Sequence, residues 1–281
     1  MGVAIVTDSS SDLSSASARE YGIEVVPLWI VYGQERLRDG VDIQRSTFYS
    51  RLAAAKDLPH TAPVEEAEFA EVFARHVAAG NDVVAPVISE KLSETYKHAV
   101  AAAAKFPGRV HVVDSQTFSG GLFLQAMAAS ELVKAGKSAA EIAKVLEAAR
   151  ATQHGYFITP DLTYLGRTGR VNKAVVALGT MLKVNPVLRI QNGVVDSAAQ
   201  TRTFERAQEL LVEIATRELR DVEKVRFVVG HANAPENGAR ELTALRAKLG
   251  GEPRSLTLFE AGPTVAVHGG PGSLGIFSLI A

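Results

Sequence analysis

Three short runs in the first half of the chain are apolar at nearly every position: Val3-Ala4-Ile5-Val6, Val83-Val84-Ala85-Pro86-Val87-Ile88 and Val110-His111-Val112-Val113. A strand with one wet face alternates, so unbroken runs predict strands covered on both sides, as in parallel sheets. Each run is followed by polar residues and then by a segment of helical spacing. Between Glu65 and Ala79 the residues Phe69, Val72, Phe73 and Val77 recur at intervals of three and four. Ser138-Ala139-Ala140-Glu141 reads as a capping box that opens a helix with Ile142, Val145, Leu146 and Ala149 on one face. Strands alternating with helices imply parallel β-α-β units stacked in three layers.

The second half has a different rhythm. Tyr156-Phe157-Ile158, Val187–Ile190, Val225–Gly230, Ser255–Glu260, Thr264–His268 and Ile276–Ile280 are candidate strands. Gln191-Asn192-Gly193-Val194 carries an Asn-Gly pair, which favours an antiparallel hairpin. Helices are expected at about Phe204–Glu218 and Pro235–Lys248, and Thr61-Ala62-Pro63 in a loop ahead of the Glu65 helix. The pattern predicts an α/β chain of two domains. Residues 1–153 form a parallel α/β/α domain, and residues 154–281 a smaller α/β domain with a mixed sheet.

Composition narrows the function. Of 281 residues, 47% are hydrophobic and 22% charged, as in globular proteins that bury a core without staples. Thirty Lys and Arg stand against 31 Asp and Glu, which leaves no electrostatic footprint for nucleic acid. There is no cysteine, and the seven histidines show no metal-ligand spacing, so neither a metal nor a cofactor is expected. The longest apolar stretches, Val25–Tyr32 and Ala174–Leu182, fall far short of the ~20 residues that cross a bilayer. No basic, cleavable leader pattern opens the sequence. The expectation is a cytoplasmic protein with no transmembrane segment and at most transient contact with a membrane surface.

Several motifs look chemical and fail on context. Gly270-Pro271-Gly272-Ser273-Leu274-Gly275 has dinucleotide-site spelling but no room after it for the helix that the mechanism needs. Gly136-Lys137-Ser138 lacks the first glycine of a phosphate loop, and Ser273 lacks the glycine before it that a nucleophile elbow requires.

The remaining polar clusters matter for their placement. Thr7-Asp8-Ser9-Ser10, Ser89–Thr95 and Asp114-Ser115 follow the carboxyl ends of expected parallel strands, the edge where open α/β sheets bind ligands. Asp8, Ser9 and Ser10 read more simply as helix caps. Ser89-Glu90-Lys91-Leu92-Ser93-Glu94-Thr95-Tyr96 offers hydroxyls and backbone N–H groups near a helix start, which suits an anion; Ser93 fits a ligand contact and a cap equally. Leu165-Gly166-Arg167-Thr168-Gly169-Arg170-Val171 sets two arginines around a glycine before an expected helix, and Arg202 follows the hairpin. His268 closes an apolar run ahead of a Gly-Pro-rich turn, a position where a lone histidine is more often structural.

At these residues the sequence resembles the DegV family. The matching motifs are TDSSSDL at 7–13, TAP at 61–63, ISEKLSETYKHA at 88–99, VVDSQTFSGG at 112–121, YLGRTGRV at 164–171, NPVLRIQNG at 185–193 and HGGPGSLGI at 268–276. They span essentially the whole chain. The resemblance implies a long-chain fatty acid held between or beneath the two domains. FakB-type members deliver it to the ATP-binding subunit of a fatty acid kinase, which makes an acyl phosphate. It further implies that Thr61, Ser93 and His268 contact the carboxylate, and that Arg170 and Arg202 engage the kinase or the phosphorylated product. Ala62, Glu94 and Thr168 depart from the family pattern, the first two beside the head group.

The tail should dominate affinity, since about 14 methylenes at roughly 0.8 kcal/mol each amount to at most roughly 11 kcal/mol. Head-group hydrogen bonds of about 1.5–3 kcal/mol should set orientation. An alternative is a stand-alone hydrolase of lipids or acyl esters, with Ser93 as nucleophile and His268 as base. It lacks an elbow and an acid to orient the histidine. A DNA-associated role is disfavoured by the balanced charge.

Overall fold

A computed structural model describes residues 2–171, 184–217 and 219–281. The apolar stretch Ala174–Leu182, the helix expected after Arg170, and Glu218 lie outside the described residues. The chain runs β1 (Val3–Asp8), α1 (Ser15–Tyr21), β2 (Ile23–Val26), β3 (Trp29–Tyr32), β4 (Glu35–Arg38), α2 (Arg45–Ala54), β5 (His60–Ala62), α3 (Glu66–Ala78), β6 (Asp82–Val87), α4 (Thr95–Ala103), β7 (Val110–Asp114), α5 (Gly120–Lys134) and α6 (Ala139–Ala149). It continues through β8 (His154–Ile158), α7 (Leu162–Thr168), β9 (Asn185–Gln191), β10 (Val194–Thr201), α8 (Phe204–Thr216), β11 (Arg226–His231), α9 (Pro235–Leu249), β12 (Ser255–Glu260), α10 (Pro263–Gly269) and β13 (Leu274–Leu279).

The first sheet has the order β2-β1-β6-β7, with every pair parallel. Successive side chains point to opposite faces, and both faces are covered. Val83, Ala85 and Val87 join Phe69 and Phe73 of α3 and Ala99 and Ala102 of α4. Val84 faces the other way, into Phe123 of α5 and Ile142 and Leu146 of α6. The runs lack alternation because neither face is wet. Ser138 and Glu141 form the capping box that starts α6, and Glu65 with Glu68 forms a second one at α3.

The larger mixed sheet has the order β10-β9-β8-β13-β11-β12; β11 and β12 are parallel and the other neighbours antiparallel. Asn192 and Gly193 form the β9–β10 turn at φ 51 and 78, the positive pair that this tight hairpin demands. Thr264–His268, expected as a strand, is instead the middle of helix α10. Its β-branched residues suggested extension, but Pro263 sits in the first turn, where no N–H is needed, and Ala266 and Val267 bury a helical face.

A third, antiparallel sheet, β4-β3-β5, has no counterpart in the sequence reading. It places Thr61 on the edge strand β5 rather than in a loop. Three residues are too few for a period-two signal; Thr61 is held by pairing with Ile30. Ile30 in turn packs in one cluster with Phe48 and Leu52 of α2 and with Ala266 and Val267 of α10.

Helix α5 ties the sheets together. From Gly120 to Ser130 it is buried on every side, as expected of a helix inside the core. It contacts β1 and β6 on one flank and β11 and β13 on the other. One cluster therefore runs from Ile5 and Val84 through Phe123 to Val228, Phe259 and Phe277. Among the described residues no helix is long and apolar enough to cross a membrane.

The approach of α5 to β13 requires Gly120. A Cβ there would run into the Phe277 ring and lie 2.7 Å from Val228 Cγ2. Gly120→Ala should lower the unfolding free energy by about 1–3 kcal/mol, the usual effect of overpacking. A urea melt indistinguishable from the parent would show that α5 can slide outward without loss.

Candidate functional site

A cavity of about 1020 Å³ opens at the carboxyl ends of β1, β6 and β7, whose following residues Ser10, Ile88, Phe118 and Ser119 all line it. Its buried end is walled by Leu28, Phe157, Phe259 and Phe277. Its open end carries Thr61, Ser93, His268 and the exposed Arg170.

Strand β5 and helix α10 bring Thr61 and His268 together across the fold, with Thr61 Oγ1 2.9 Å from His268 Nε2. Burial and then the nearby Arg170 cation push the imidazole down to about 3, so it is neutral at cellular pH. Its Nδ1 is buried and has no hydrogen-bond partner. One ring nitrogen is thus engaged by Thr61 and the other is left for a further partner.

Ser93 belongs to a second hydrogen-bonded pair. Thr95 Oγ1 accepts from Val64 N at 3.3 Å and lies 2.9 Å from Ser93 Oγ. Ser93 Oγ also accepts from Thr95 N at 3.2 Å and so braces the start of α4. Glu94 beside it is exposed.

The Ser89–Thr95 loop is held from the second half of the chain. Ser89 Oγ donates to Gly193 O and Lys91 Nζ to Asn192 O, both at 2.9 Å. A Cβ on Gly193 would sit 2.5 Å from Ser89 Oγ, so the hairpin tip and this loop are fitted to each other.

The two arginines part company. Arg170 follows α7, whose C-cap is Gly169 at φ 66, and Arg170 Nη1 donates to Thr168 O at 2.5 Å. It lines the cavity, whereas Arg202 is exposed and does not. Arg202 contributes its carbonyl to Asn185 Nδ2 at 3.3 Å.

Behind the cavity lies a buried carboxyl network. Asp8 accepts from Ser10 N at 2.9 Å and Ile88 N at 2.7 Å, and it caps the turn Ser9–Ser11. Asp12 accepts from Ser119 Oγ at 2.6 Å and Gly262 N at 2.7 Å. Asp39 accepts from Thr264 N at 3.1 Å. Burial raises all three carboxyls, Asp8 to about 6 and Asp12 to about 7, with Arg45 only partly offsetting it at Asp12. Nothing in the sequence marks partners 250 positions apart; Asp8 is a cap, as its sequence suggests, whereas Ser9 and Ser10 lie within the capped turn, Ser9 Oγ accepting from Leu28 N and Ser10 Oγ donating to Asp8. Among the described residues no group of three or more His, Asp or Glu side chains could hold a metal ion.

Residues 2–281 match the family model described as an uncharacterised protein of the DegV family. A DegV domain-containing protein of Deinococcus radiodurans is 33% identical over 283 residues, covering 98% of each chain. Among solved structures, a fatty-acid-binding DegV family protein from Thermus thermophilus superposes with a TM-score of 0.92 at 29% identity over the whole of both chains. A stearic-acid-binding protein from Eubacterium ventriosum gives a TM-score of 0.92 at 26% identity, covering 100% of this chain and 98% of its own.

The Asp12 carboxyl couples the network to pH. Unfolded, it ionises near 3.8; folded, at about 7. Between those values the folded state holds the extra proton, so its stability contribution is complete in acid and is lost as pH rises through 7. Asn mimics the protonated form and can serve Ser119 and Gly262 alike. Asp12→Asn should match the parent near pH 4 and exceed its unfolding free energy by roughly 2–4 kcal/mol at pH 8. A difference that does not vary with pH would mean that Asp12 stays ionised.

Proposed function

The chain belongs to the DegV family, and on that premise we propose that it carries one long-chain fatty acid, with Thr61, Ser93 and His268 at the carboxylate. It presents that carboxylate to the ATP-binding subunit of a fatty acid kinase, which forms the acyl phosphate. The observation that carries this reading is that Thr61, Ser93 and His268, far apart in sequence, all line one largely apolar cavity. A buried carboxylate needs converging donors, and an alkyl chain needs walls such as Leu28, Phe157, Phe259 and Phe277.

Neutral donors also suit the chemistry. The carboxylate oxygen must attack the γ-phosphorus of ATP, so it has to stay ionised and keep a lone pair. Two hydroxyl bonds hold it without neutralising it, whereas a guanidinium clamp would bind more tightly and blunt the attack. Arg170, at the open end, is placed for the phosphoryl charge that develops outside, and its planar fork pairs well with phosphate. We assign Arg202, on the exposed surface, to the kinase contact. The carrier requires no cofactor of its own and works in the cytoplasm, touching a membrane surface only to exchange lipid.

The hydrolase alternative is less well supported: the hydrogen-bond partner of His268 Nε2 is Thr61 and that of Ser93 Oγ is Thr95, so the serine and histidine are not paired with each other.

Purified protein should release close to one fatty acid per chain on extraction, and the delipidated form should rebind palmitate or oleate saturably. Thr61→Ala with Ser93→Ala should weaken that binding by about 1–3 kcal/mol per group removed, with the melting temperature little changed. Unaltered affinity would reduce both residues to structural caps.

Arg170→Ala and Arg202→Ala should keep the lipid and lose acyl-phosphate formation when kinase and ATP are supplied. Full turnover in both variants would remove the arginines from the mechanism, and loss of lipid from either would assign that arginine to the pocket.

A further inference from the structure

Both faces of the mixed sheet are covered, and alternation assigns each residue of β11 and β13 to one of them. On β13, Leu274 and Ile276 pack in one cluster with Leu211 of α8 and Leu245 of α9, whereas Phe277 and Leu279 join Phe123 of α5. Gly275 therefore shares the α5 face with Phe277. On β11, Phe227 and Val229 lie on the α8 and α9 side, which puts Val228 and Gly230 on the α5 face. Pairing sets Gly230 opposite Gly275 and Val228 opposite Phe277. Gly230, Gly275 and Phe277 line the cavity, and Val228 and Leu279 do not. The chamber thus ends at the row of Phe277.

The opposite end of that face lies beside the head-group residues. Ser273 Oγ donates to Gly269 O, next to His268, at 2.6 Å, and Ala232 N donates to Ser273 O at 2.9 Å. Ser273 and Ala232 both line the cavity. From Ser273 the lining steps to Gly275 and then to Phe277, four residues at roughly 3.3 Å each, or about 13 Å along the strand. An extended alkyl chain advancing roughly 1.2 Å per bond covers that distance in about eleven bonds. A long-chain acid anchored at Thr61 and His268 therefore reaches Phe277, and a short one stops above it.

The Phe277 ring is held along its flanks. A Cβ on Gly155 would lie 2.7 Å from Phe277 Cδ1, and one on Gly120 would run into Cδ2 on the other edge. The tip of the ring leans back along its own strand: a Cβ on Gly275 would lie 2.8 Å from Cε2 and 3.4 Å from Cζ. With the flanks closed, a side chain at Gly275 would displace the tip toward the cavity. We propose that Phe277 is the length gauge of the cavity, and that the ring tip resting over Gly275 is the stop at which the ω-methyl of the acyl chain ends. Beyond it the packed cluster around Phe123, Val228 and Leu279 leaves no room for further methylenes. This inference rests on the fatty-acid-carrier reading and specifies what limits its ligand.

The test uses the delipidated full chain and the even-numbered saturated acids from laurate to arachidate. In the parent, affinity is expected to rise by up to about fourfold per methylene until the methyl meets the ring, and to fall beyond that length. Phe277→Leu, which removes the tip, should move the maximum to a longer acid of the series. Gly275→Ala, which lifts the tip, should move it to a shorter one. Phe277 is a core residue, so a thermal melt accompanies each variant, and a measurement on the parent stands without them. The tightest-binding acid, labelled with 13C at its ω-methyl, should show nuclear Overhauser contacts from that methyl to the Phe277 ring protons. A maximum at the same carbon number in the parent and in both folded variants would overturn the gauge while leaving the carrier intact. So would an ω-methyl in contact with other side chains and not with Phe277. If no acid of the series binds, the carrier reading itself falls.

Discussion

How closely α5 comes to β13 fixes the dimensions of everything around the cavity. With no side chain at Gly120, the Phe277 ring lies against the first turn of the helix, and Phe277 then forms part of the cavity floor. The residue before the helix, Ser119, is held at φ 51, a conformation that a serine adopts only under constraint. The constraint is visible: its N–H donates to Ser10 O at 2.7 Å and its hydroxyl to Asp12. Asp12 passes the tension on to Gly262. A single close approach thus sets the floor, aligns the wall and joins the two ends of the sequence.

The site economises on charge. Three carboxyls lie behind the wall and a cation stands at the opening, yet the groups that would meet a carboxylate are a neutral imidazole and two hydroxyls. Arg170 contributes to this arrangement by helping to keep His268 unprotonated. A protonated His268 would bind the head group more strongly and surrender it less readily.

Local information was legible in the sequence and non-local information was not. The doubly covered strands, the Ser138–Glu141 box and the Asn192-Gly193 turn are each specified within a few residues, and each is found as read. Thr264–His268 misled because branched residues favour extension, whereas Pro263 and a waiting apolar surface favour a helix. Thr61 looked like a loop residue because its strand borrows its apolar partners from β3. Arg170 and Arg202 resemble each other as text, but only one reaches the cavity.

The order of strands in the mixed sheet has a bearing on biosynthesis. β13 follows all five of its companions along the chain, yet it lies near the centre, between β8 and β11. While the polypeptide is being made, β8 and β11 each keep one unpaired edge, and such edges invite adhesion to other chains. The parallel sheet, complete by residue 114, has no such delay. Because β13 supplies Leu274, Gly275 and Phe277 to the cavity wall, no closed chamber exists before that strand is inserted. Whatever occupies the cavity must therefore enter the finished molecule, and the nascent chain reaches that stage with no chamber to fill.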